Sequence, residues 1–241
     1  MDPDFREKAP AKLWGLAEEK HSRLILALDL YSNNSTQPQE VMNRSISLLE
    51  SLKDLLAGVK IGLPLSLTLG FERIAELLDT FKQDFYMIAD FKLSDIPDIN
   101  QIALNFFSKL GFDAAIAHLF QGGLRNLRRR SIDLFGVVVM SHPDSRLLQE
   151  NFQRLIEEAS IADVDGVVVG ATKESFIRAA RKALPEKTIL SPGVVVQGAR
   201  PGSALEYGGD FEIVGRAITR SPDPLSSARK IVEAERDVLS R

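Results

Sequence analysis

The stretch MIADFKLSDIPDIN, residues 87–100, begins as an apolar β-strand and then brings three charged side chains close together. The apolar run ends at Ala89, and Asp90, Lys92 and Asp95 follow it. Because side chains alternate along a strand, Asp90 and Lys92 project from the same face if the strand persists that far. The stretch therefore predicts a buried strand that ends with a lysine between two carboxylates.

Two interpretations of these charges are open from this stretch alone. In the first, they form an ion pair at a strand end, and Asp95 is the N-cap of a helix that follows the turn at Pro97. In the second, they belong to a functional site. The second requires that other strand ends contribute polar residues to the same region.

Short apolar runs rich in β-branched residues recur along the chain and predict eight strands. They lie at Arg23–Leu28, Ala57–Ile61, Phe85–Phe91, Ala114–Ala117, Phe135–Met140, Gly166–Val169, Thr188–Leu190 and Phe211–Val214. Between them, apolar residues recur every three or four positions, which is typical of helices. Strands that alternate with helices pair with one another in parallel. At a length of 241 residues, eight such units favour one (β/α)8 barrel.

The barrel is expected to occupy the whole chain, residues 1–241, as a single domain with a short N-terminal extension over about residues 1–20. An open doubly wound sheet is the alternative architecture. Its glycine fingerprint is missing after the first strand, where the chain reads ALDLYSNNS at 27–35. The barrel is therefore the preferred prediction.

Composition narrows the classes of partner and site. The chain has 30 basic and 33 acidic residues, a net charge of −3, which predicts neither a nucleic-acid nor a membrane partner. The basic cluster RNLRRR, residues 125–130, is interpreted as a solvated helix face. The sequence contains no cysteine, which excludes disulfides, thiolate metal ligands and a cysteine nucleophile. The charged N-terminus lacks the apolar run of a signal peptide, so we expect a cytoplasmic protein.

Polar residues occur at the predicted carboxyl ends of several strands, where barrels place their chemistry. They are Asp29, Lys60, Asp90, Lys92, Ser141 and His142. A lysine flanked by aspartates stays protonated, so Lys92 suits a general acid better than an imine-forming nucleophile. His118 and His142 are interpreted as structural residues, because a proton donor is already present. This convergence favours the functional interpretation.

The loops after strands 7 and 8 predict a phosphate site, since barrels commonly bind phosphate there. The loop after strand 7 carries Gly193, Gln197, Gly198 and Gly202, and strand 8 runs into Gly215 and Arg216. Glycines let backbone amides approach an anion, and the planar guanidinium of Arg216 matches phosphate oxygens. A following helix would add a favourable dipole.

Six blocks of this sequence together resemble the orotidine 5′-phosphate decarboxylases, most closely the archaeal type. They are ALD at 27–29, VKIG at 59–62, DFKLSDIP at 90–97, MSHP at 140–143, SPGVVVQG at 191–198 and VGRAI at 214–218. They occur in order from the first strand to the last, and D-x-K-x-x-D is specific to that superfamily. The resemblance implies cofactor-free, metal-free decarboxylation of orotidine 5′-monophosphate to uridine 5′-monophosphate in pyrimidine biosynthesis.

The resemblance also implies a role for each matching residue. Lys60, Asp90, Lys92 and Asp95 would form an alternating catalytic array in which Lys92 protonates C6 and Asp90 crowds the substrate carboxylate. Asp29 and Lys60 would hold ribose hydroxyls, and Asp95 would reach the partner's site in a homodimer. The remaining substrate-binding residues would be Ile96, Ser141, Pro192, Val194, Gln197, Gly215 and Arg216, of which the last three bind phosphate.

The sequence departs from the family at Ile99, where a threonine near the partner's ribose is usual. Two alternatives stay open. One is a sugar-phosphate decarboxylase or synthase of the same superfamily, but those enzymes use magnesium and carry a glutamate where this chain has Lys60. The other is a non-catalytic nucleotide-binding barrel, which the fold alone permits.

Overall fold

Eight parallel strands close into one barrel, in the order β1 to β8, so each strand pairs with its neighbours in sequence and β8 pairs with β1. The structure is a computed structural model and describes residues 10–32, 37–129 and 131–241. The strands are Leu24–Ala27, Gly58–Gly62, Tyr86–Leu93, Ala114–His118, Asp133–Val139, Gly166–Val169, Thr188–Pro192 and Phe211–Val214. The predicted (β/α)8 barrel is confirmed, and each predicted strand end lies within two residues of the observed one.

Helices between the strands cover the barrel from outside. They are α1 (Ala11–Lys20), α2 (Pro38–Ser51), α3 (Leu63–Phe81), α4 (Pro97–Leu110), α5 (Arg146–Glu150), α6 (Phe152–Ile161), α7 (Glu174–Ala183), α8 (Ser203–Glu206), α9 (Arg216–Thr219) and α10 (Pro224–Leu239). Helix α3 breaks at Gly70, whose φ of 74° is not helical. Among the described residues, no helix is both long and apolar enough to cross a membrane.

Three aspartates at the amino end of the barrel fix the register between neighbouring strands. Each stands just before an even-numbered strand and accepts a hydrogen bond from a backbone amide of the preceding strand. Asp113 accepts from Met87 at 2.8 Å, Asp165 from Leu134 at 2.8 Å, and Asp210 from Ile189 at 2.8 Å. These contacts stabilise the end of the barrel opposite the predicted site, so the carboxyl ends of the strands stay available for function.

Helix α1 closes the amino end of the barrel. Leu13 is fully buried, and Trp14 is 4% exposed and meets the ring of Phe211 edge-on, with ring centroids 5.1 Å apart. The indole Nε1 donates to Thr188 Oγ1 at 3.0 Å. The second half of the predicted N-terminal extension is therefore a helix packed on the core, and residues 1–9 lie outside the described residues.

The basic cluster at 125–130 is not a helix face, so that interpretation is wrong. The chain makes only a 3-10 turn at Leu124–Asn126 and is extended at Leu127. Arg129 is partly buried and pairs with Asp165, with Nη1 and Oδ2 2.5 Å apart. Arg130 lies outside the described residues. Arg129 therefore contributes to tertiary structure, because it links this segment to Asp165, the carboxylate that also bonds the Leu134 amide.

Candidate active site

Strand β3 continues two residues past its predicted end, and its pairing is irregular where its charged residues lie. Its pairing with β4 shifts register between Ala89 and Leu93, and Lys92 has a φ of 47°. A left-handed conformation is costly for a residue with a Cβ, and such strain is concentrated at functional sites. A bulge of this kind changes the direction of a side chain at a barrel rim. Here it accompanies an ion pair between Lys92 and Asp90.

The carboxylate of Asp90 lies between two ammonium groups. Its Oδ2 is 2.8 Å from Lys60 Nζ, and its Oδ1 is 2.7 Å from Lys92 Nζ. The side chains of Asp90 and Lys60 are 8% and 9% exposed, whereas Lys92 is 34% exposed. Asp29 Oδ1 lies on the far side of Lys60, 3.6 Å from Nζ. The observed order of charges is therefore Asp29, Lys60, Asp90, Lys92.

The alternating signs keep the buried groups ionised. Burial acts to lower the pKa of Lys60, but the carboxylates of Asp90 and Asp29 raise it, and the net shift is upward. Burial acts to raise the pKa of Asp90, but the two lysines lower it below its ordinary value. A buried charge is tolerated when it is paired in this way. At neutral pH the cavity wall thus carries a fixed pattern of positive and negative charge.

These charges border a cavity of about 350 Å³ at the carboxyl end of the barrel. Its apolar floor is made by side chains from five strands or their ends: Ala27, Ile116, Val137, Val168 and Ile213. The charged wall is contributed by Asp29, Lys60, Asp90 and Lys92. An elongated ligand with one apolar face and polar groups at its edge matches this division.

The loops after β5 and β7 meet at the cavity. A Cβ at Gly193, which has a φ of 109°, would lie 2.7 Å from Ser141 Cβ, so only glycine fits there. A Cβ at Gly170 would lie 2.5 Å from the Cα of Ser141. The Thr172 hydroxyl donates to the Ser141 carbonyl at 2.7 Å. Ser141 is therefore held by close packing at the cavity, and Pro192 and Val194, on either side of Gly193, also line it.

The loops after β7 and β8 carry the groups predicted to bind phosphate, and the part of the cavity that they line is called the phosphate end. Gln197, Gly215 and Arg216 all line it. Arg216 is exposed, and within the described part of the chain its guanidinium makes no hydrogen bond or ion pair. A Cβ at Gly215 would lie 3.3 Å from Ala27 Cβ, so the backbone there runs close to β1. Arg216 therefore adds an exposed guanidinium to the lining of the cavity.

Asp95 and Ile96 are the two predicted site residues that do not line the cavity. Asp95 is exposed, and its Oδ1 accepts from the Ile96 amide at 2.7 Å. The N-cap of α4 is Ile96, without a side-chain cap, so the interpretation of Asp95 as N-cap is wrong. Asn100 is buried, and its amide group bonds both the N–H and the C=O of Asp95, at 3.2 and 2.6 Å. Ile99 is 46% exposed.

Sequence reasoning did not select Met140 and Val196, which also line the cavity. His142 lines it too, whereas His118 lies at the end of β4 with Nδ1 buried and without a partner among the described residues. Burial, and then the nearby charge of Lys92, lower the pKa of His118. Met140 and His142 flank Ser141 in sequence, so adjacency to a predicted site residue was the available signal.

The described residues contain no group of three or more histidines, aspartates and glutamates placed to hold a metal ion. Next to the carboxylate of Asp90, Lys60 supplies an ammonium group at 2.8 Å. A cation bound at Asp90 would meet this positive charge at short range. The side chains around Asp90 therefore favour a site in which lysine ammonium groups, and not a metal ion, supply the positive charge.

A model of the orotidine 5′-phosphate decarboxylase / HUMPS family matches residues 22–231 of this chain. The match takes in all eight strands and every cavity residue. The chain belongs to this family. The predicted resemblance is thereby confirmed, and among its curated relatives is the orotidine 5′-phosphate decarboxylase of Aeropyrum pernix, 38% identical over 89% of this chain and 89% of that protein.

Solved structures of this family have the same fold. The orotidine 5′-monophosphate decarboxylase of Sulfolobus solfataricus matches with a TM-score of 0.76 and 33% identity, over 90% of this chain and 99% of that one. The enzyme of Methanocaldococcus jannaschii, solved as a complex with the inhibitor BMP, matches with a TM-score of 0.78 and 29% identity, over 88% and 98%. The family assignment therefore rests on sequence and on three-dimensional structure.

Proposed function

We propose that this decarboxylase converts orotidine 5′-monophosphate to uridine 5′-monophosphate and carbon dioxide without a cofactor, with Lys92 as the proton donor. The observation that supports it most directly is the carboxylate of Asp90 held between the ammonium groups of Lys60 and Lys92 at the cavity wall. Curated relatives that share at least 31% identity with this chain carry the decarboxylase name. The product is a pyrimidine nucleotide, so the enzyme acts in pyrimidine biosynthesis.

In the proposed reaction, the bond between C6 of the pyrimidine and its carboxylate carbon breaks, and the electron pair stays on C6. Carbon dioxide leaves, and the ammonium of Lys92 transfers one proton to C6. Because the carbanion is the costly species, a positive charge fixed beside C6 stabilises what develops only in the transition state. Lys92 is the more exposed lysine of the pair and borders the cavity, so it can reach a bound ring.

Asp90 has two roles in this proposal. It holds both ammonium groups at 2.7 and 2.8 Å, which fixes their positions before substrate binds. Since its pKa is lowered, it is ionised at neutral pH and crowds the substrate carboxylate, which favours departure of carbon dioxide. Lys60 and Asp29, 3.6 Å apart, are proposed to hold ribose hydroxyls beside it.

The phosphate end supplies binding energy at a distance from the reacting bond. Gln197, Gly215 and Arg216 are proposed to bind the phosphate, with Ser141, Pro192 and Val194 against the pyrimidine. Interactions with a remote group can support closure of the 194–203 loop over the substrate. Val195, in that loop, has a φ of 63° and donates its N–H to the carbonyl of Ala199 at 2.8 Å, so the loop has a defined backbone turn.

We further infer a homodimer in which Asp95 of one chain completes the other chain's site. Ile99, Ile102 and Phe106 form an exposed apolar stripe on α4, at helical spacing, and are 46%, 65% and 41% exposed. A stripe of this kind is a candidate protein interface. It begins next to Asp95 and Ile96, outside their own cavity, and Asn100 holds the Asp95 backbone in place. Ile99 offers no side-chain hydrogen bond to a partner's ribose.

The remaining alternatives are less well supported. A magnesium-dependent sugar-phosphate enzyme needs an acidic ligand where this chain places the ammonium of Lys60, 2.8 Å from Asp90. A non-catalytic nucleotide-binding barrel has little use for a strained Lys92 paired to a buried carboxylate. We also expect the enzyme in the cytoplasm, because its phosphorylated substrate and product are charged metabolites of cellular biosynthesis.

The decisive experiment is a spectrophotometric assay with purified protein. Orotidine monophosphate loses absorbance as it becomes uridine monophosphate, and this turnover should persist after exhaustive chelation and dialysis. A sugar-phosphate enzyme would instead turn over a keto sugar phosphate, and only with magnesium. Binding of uridine monophosphate without any turnover would identify a non-catalytic barrel. Activity that chelation abolishes and magnesium restores would overturn the proposal of a metal-free mechanism.

A further inference from the structure

Glu212 is an acidic residue in the wall of the barrel, in β8, and its side chain is fully buried. Its neighbours in sequence, Phe211 and Ile213, are buried hydrophobic residues. A carboxylate in such surroundings is costly unless hydrogen bonds compensate for the lost water. None of the catalytic steps proposed above uses it. Its hydrogen-bond partners therefore indicate what it does.

Both oxygens of Glu212 accept hydrogen bonds from backbone amides at the point where the loop that follows β7 runs into α8. Oε2 accepts from Gly202 at 2.9 Å, and Oε1 accepts from Ala204 at 3.0 Å. Gly202 is also confined from the other side, because a Cβ there would lie 2.9 Å from the Ala234 carbonyl oxygen of α10. The far end of the loop is thus clamped between β8 and α10.

The same loop and the same strand supply the groups that line the phosphate end of the cavity. The loop starts at Gly193 and contributes Gln197, and β8 leads directly into Gly215 and Arg216. We propose that Glu212 is a positioning residue for phosphate binding: it ties the end of the 193–203 loop to the strand that carries Gly215 and Arg216. This inference rests on the proposed reaction of a 5′-phosphorylated substrate.

The clamp depends on the charge of Glu212. Burial raises the pKa of Glu212 to about 7, although the amides of Gly202 and Ala204 and the charge of Arg200 act to lower it. Protonation of either oxygen leaves only one good acceptor for two amides. The clamp is therefore complete above this pKa and weakened below it, so apparent affinity for a phosphorylated substrate should fall as the pH drops through about 7.

A second buried carboxylate, Glu235 of α10, faces the same region and supplies a control. Its Oε2 accepts from the Arg23 amide at 3.0 Å, and it makes no hydrogen bond to the loop. Burial, and then the charge of Glu212, raise its pKa well above the ordinary value. The other charged groups around the two carboxylates are Arg23, Arg200 and Arg236.

The test compares Glu212→Gln with the matched variant Glu235→Gln. Glutamine keeps the size of Glu212 but places one donor against one of the two amides. With orotidine monophosphate at about pH 8, we expect Glu212→Gln to raise KM about tenfold, with a much smaller change in kcat. With orotidine, which has no phosphate, its kcat/KM should stay within about twofold of the wild-type value. Glu235→Gln should change neither substrate's constants by more than about twofold.

An unchanged KM for orotidine monophosphate in Glu212→Gln would overturn the inference and leave the decarboxylase proposal standing. An equal loss with both substrates would also overturn it, because that is general damage to the site. Absence of turnover by the wild-type protein would instead contradict the proposed function. These three results are distinguishable in one set of assays.

A second measurement follows the pH dependence of the wild-type protein. We expect the NMR signals of the Gly202 and Ala204 amide protons to titrate together between about pH 8.5 and pH 5.5, as the carboxylate loses its charge. KM for orotidine monophosphate should rise over the same interval more steeply in the wild-type protein than in Glu212→Gln, because that variant still shows the effect of the substrate's own phosphate ionisation but lacks the titrating carboxylate. Amide signals that do not move, or that move without this extra rise in KM, would overturn the inference.

Discussion

Lys92 combines the strain and the charge of the site in one residue. It adopts a left-handed backbone conformation, ion-pairs with Asp90 at 2.7 Å, and faces the cavity with a third of its side chain exposed. An ordinary strand end would not combine these three features. Because such backbone strain persists only when the surroundings impose it, the structure indicates that the position of this ammonium is what the fold maintains.

Replacing Lys92 with alanine should abolish turnover while leaving the fold and ligand binding in place. Asp90 keeps its partner Lys60 at 2.8 Å, so no buried charge is left alone. Loss of the proton donor should lower kcat by at least about 10²- to 10⁴-fold, with binding of uridine monophosphate retained. Steady-state kinetics and calorimetry measure the two effects. Lys82→Ala, an exposed lysine paired with Asp79, is the control and should behave as wild type. If Lys92→Ala kept more than about a tenth of kcat, Lys92 would not be the donor.

Among the elements, the strands were predictable and the direction of some side chains was not. Apolar, β-branched runs report a buried strand wherever they occur, so all eight strands were found, and the barrel followed from their alternation with helices. The bulge in β3 was not predictable, because it arises from pairing with β4. For the same reason the sequence did not reveal the two hydrogen bonds by which the side chain of Asn100 holds the backbone of Asp95.

Glu212 illustrates the same limit in β8. In the sequence it stands between apolar residues, as a solvent-facing position of a strand does, yet its side chain is fully buried against the backbone amides of Gly202 and Ala204 at the start of α8. The phosphate-binding groups were found because loops after the seventh and eighth strands are a common site for them, and all three line the cavity. A glycine-rich loop reveals its flexibility in the sequence, but the carboxylate that holds it comes from another element.

Helix α1 provides a prediction at this scale, because it lies outside the residues matched by the family model and still belongs to the core. Trp14→Ala should lower the free energy of unfolding by about 3–5 kcal/mol, since it empties a buried contact against Phe211. At temperatures where the variant is folded, kcat should be unchanged, because Trp14 packs at the amino end of the barrel. Urea unfolding and the decarboxylation assay measure both. Glu18→Ala, exposed on the same helix, should stay within about 0.5 kcal/mol of wild type. A Trp14→Ala protein with wild-type stability would show that α1 is not part of the stabilising core.

In the whole molecule, the amino end of the barrel carries stabilising contacts and the carboxyl end carries the candidate active site. The aspartates that fix the strand register and helix α1 lie at the amino end of the barrel. The charged wall, the apolar floor and the residues proposed to bind phosphate line the cavity at the carboxyl end. Mutations at one end should therefore be separable from mutations at the other. Asp95 is the exception, since it borders neither its own cavity nor the core. In the proposed dimer its function depends on a second chain.

Mixing two inactive variants tests whether Asp95 acts across a dimer. Lys92→Ala and Asp95→Ala homodimers should each be nearly inactive. If Asp95 serves the partner's site, a mixed dimer contains one site with both defects and one site with neither. Random exchange makes half of the dimers mixed, and each regains one site of two, so the mixture should recover about a quarter of wild-type activity.

The matched control is a mixture of Lys92→Ala with Asp90→Ala. Both residues border the same cavity of one chain, so every site in a mixed dimer keeps one defect and no activity should return. Subunit exchange can be verified by mass spectrometry in both mixtures. If the Lys92→Ala and Asp95→Ala mixture exchanges subunits and remains inactive, Asp95 does not complete the partner's site. The decarboxylase proposal would survive that result, because the charged wall formed by Lys60, Asp90 and Lys92 is complete within one chain.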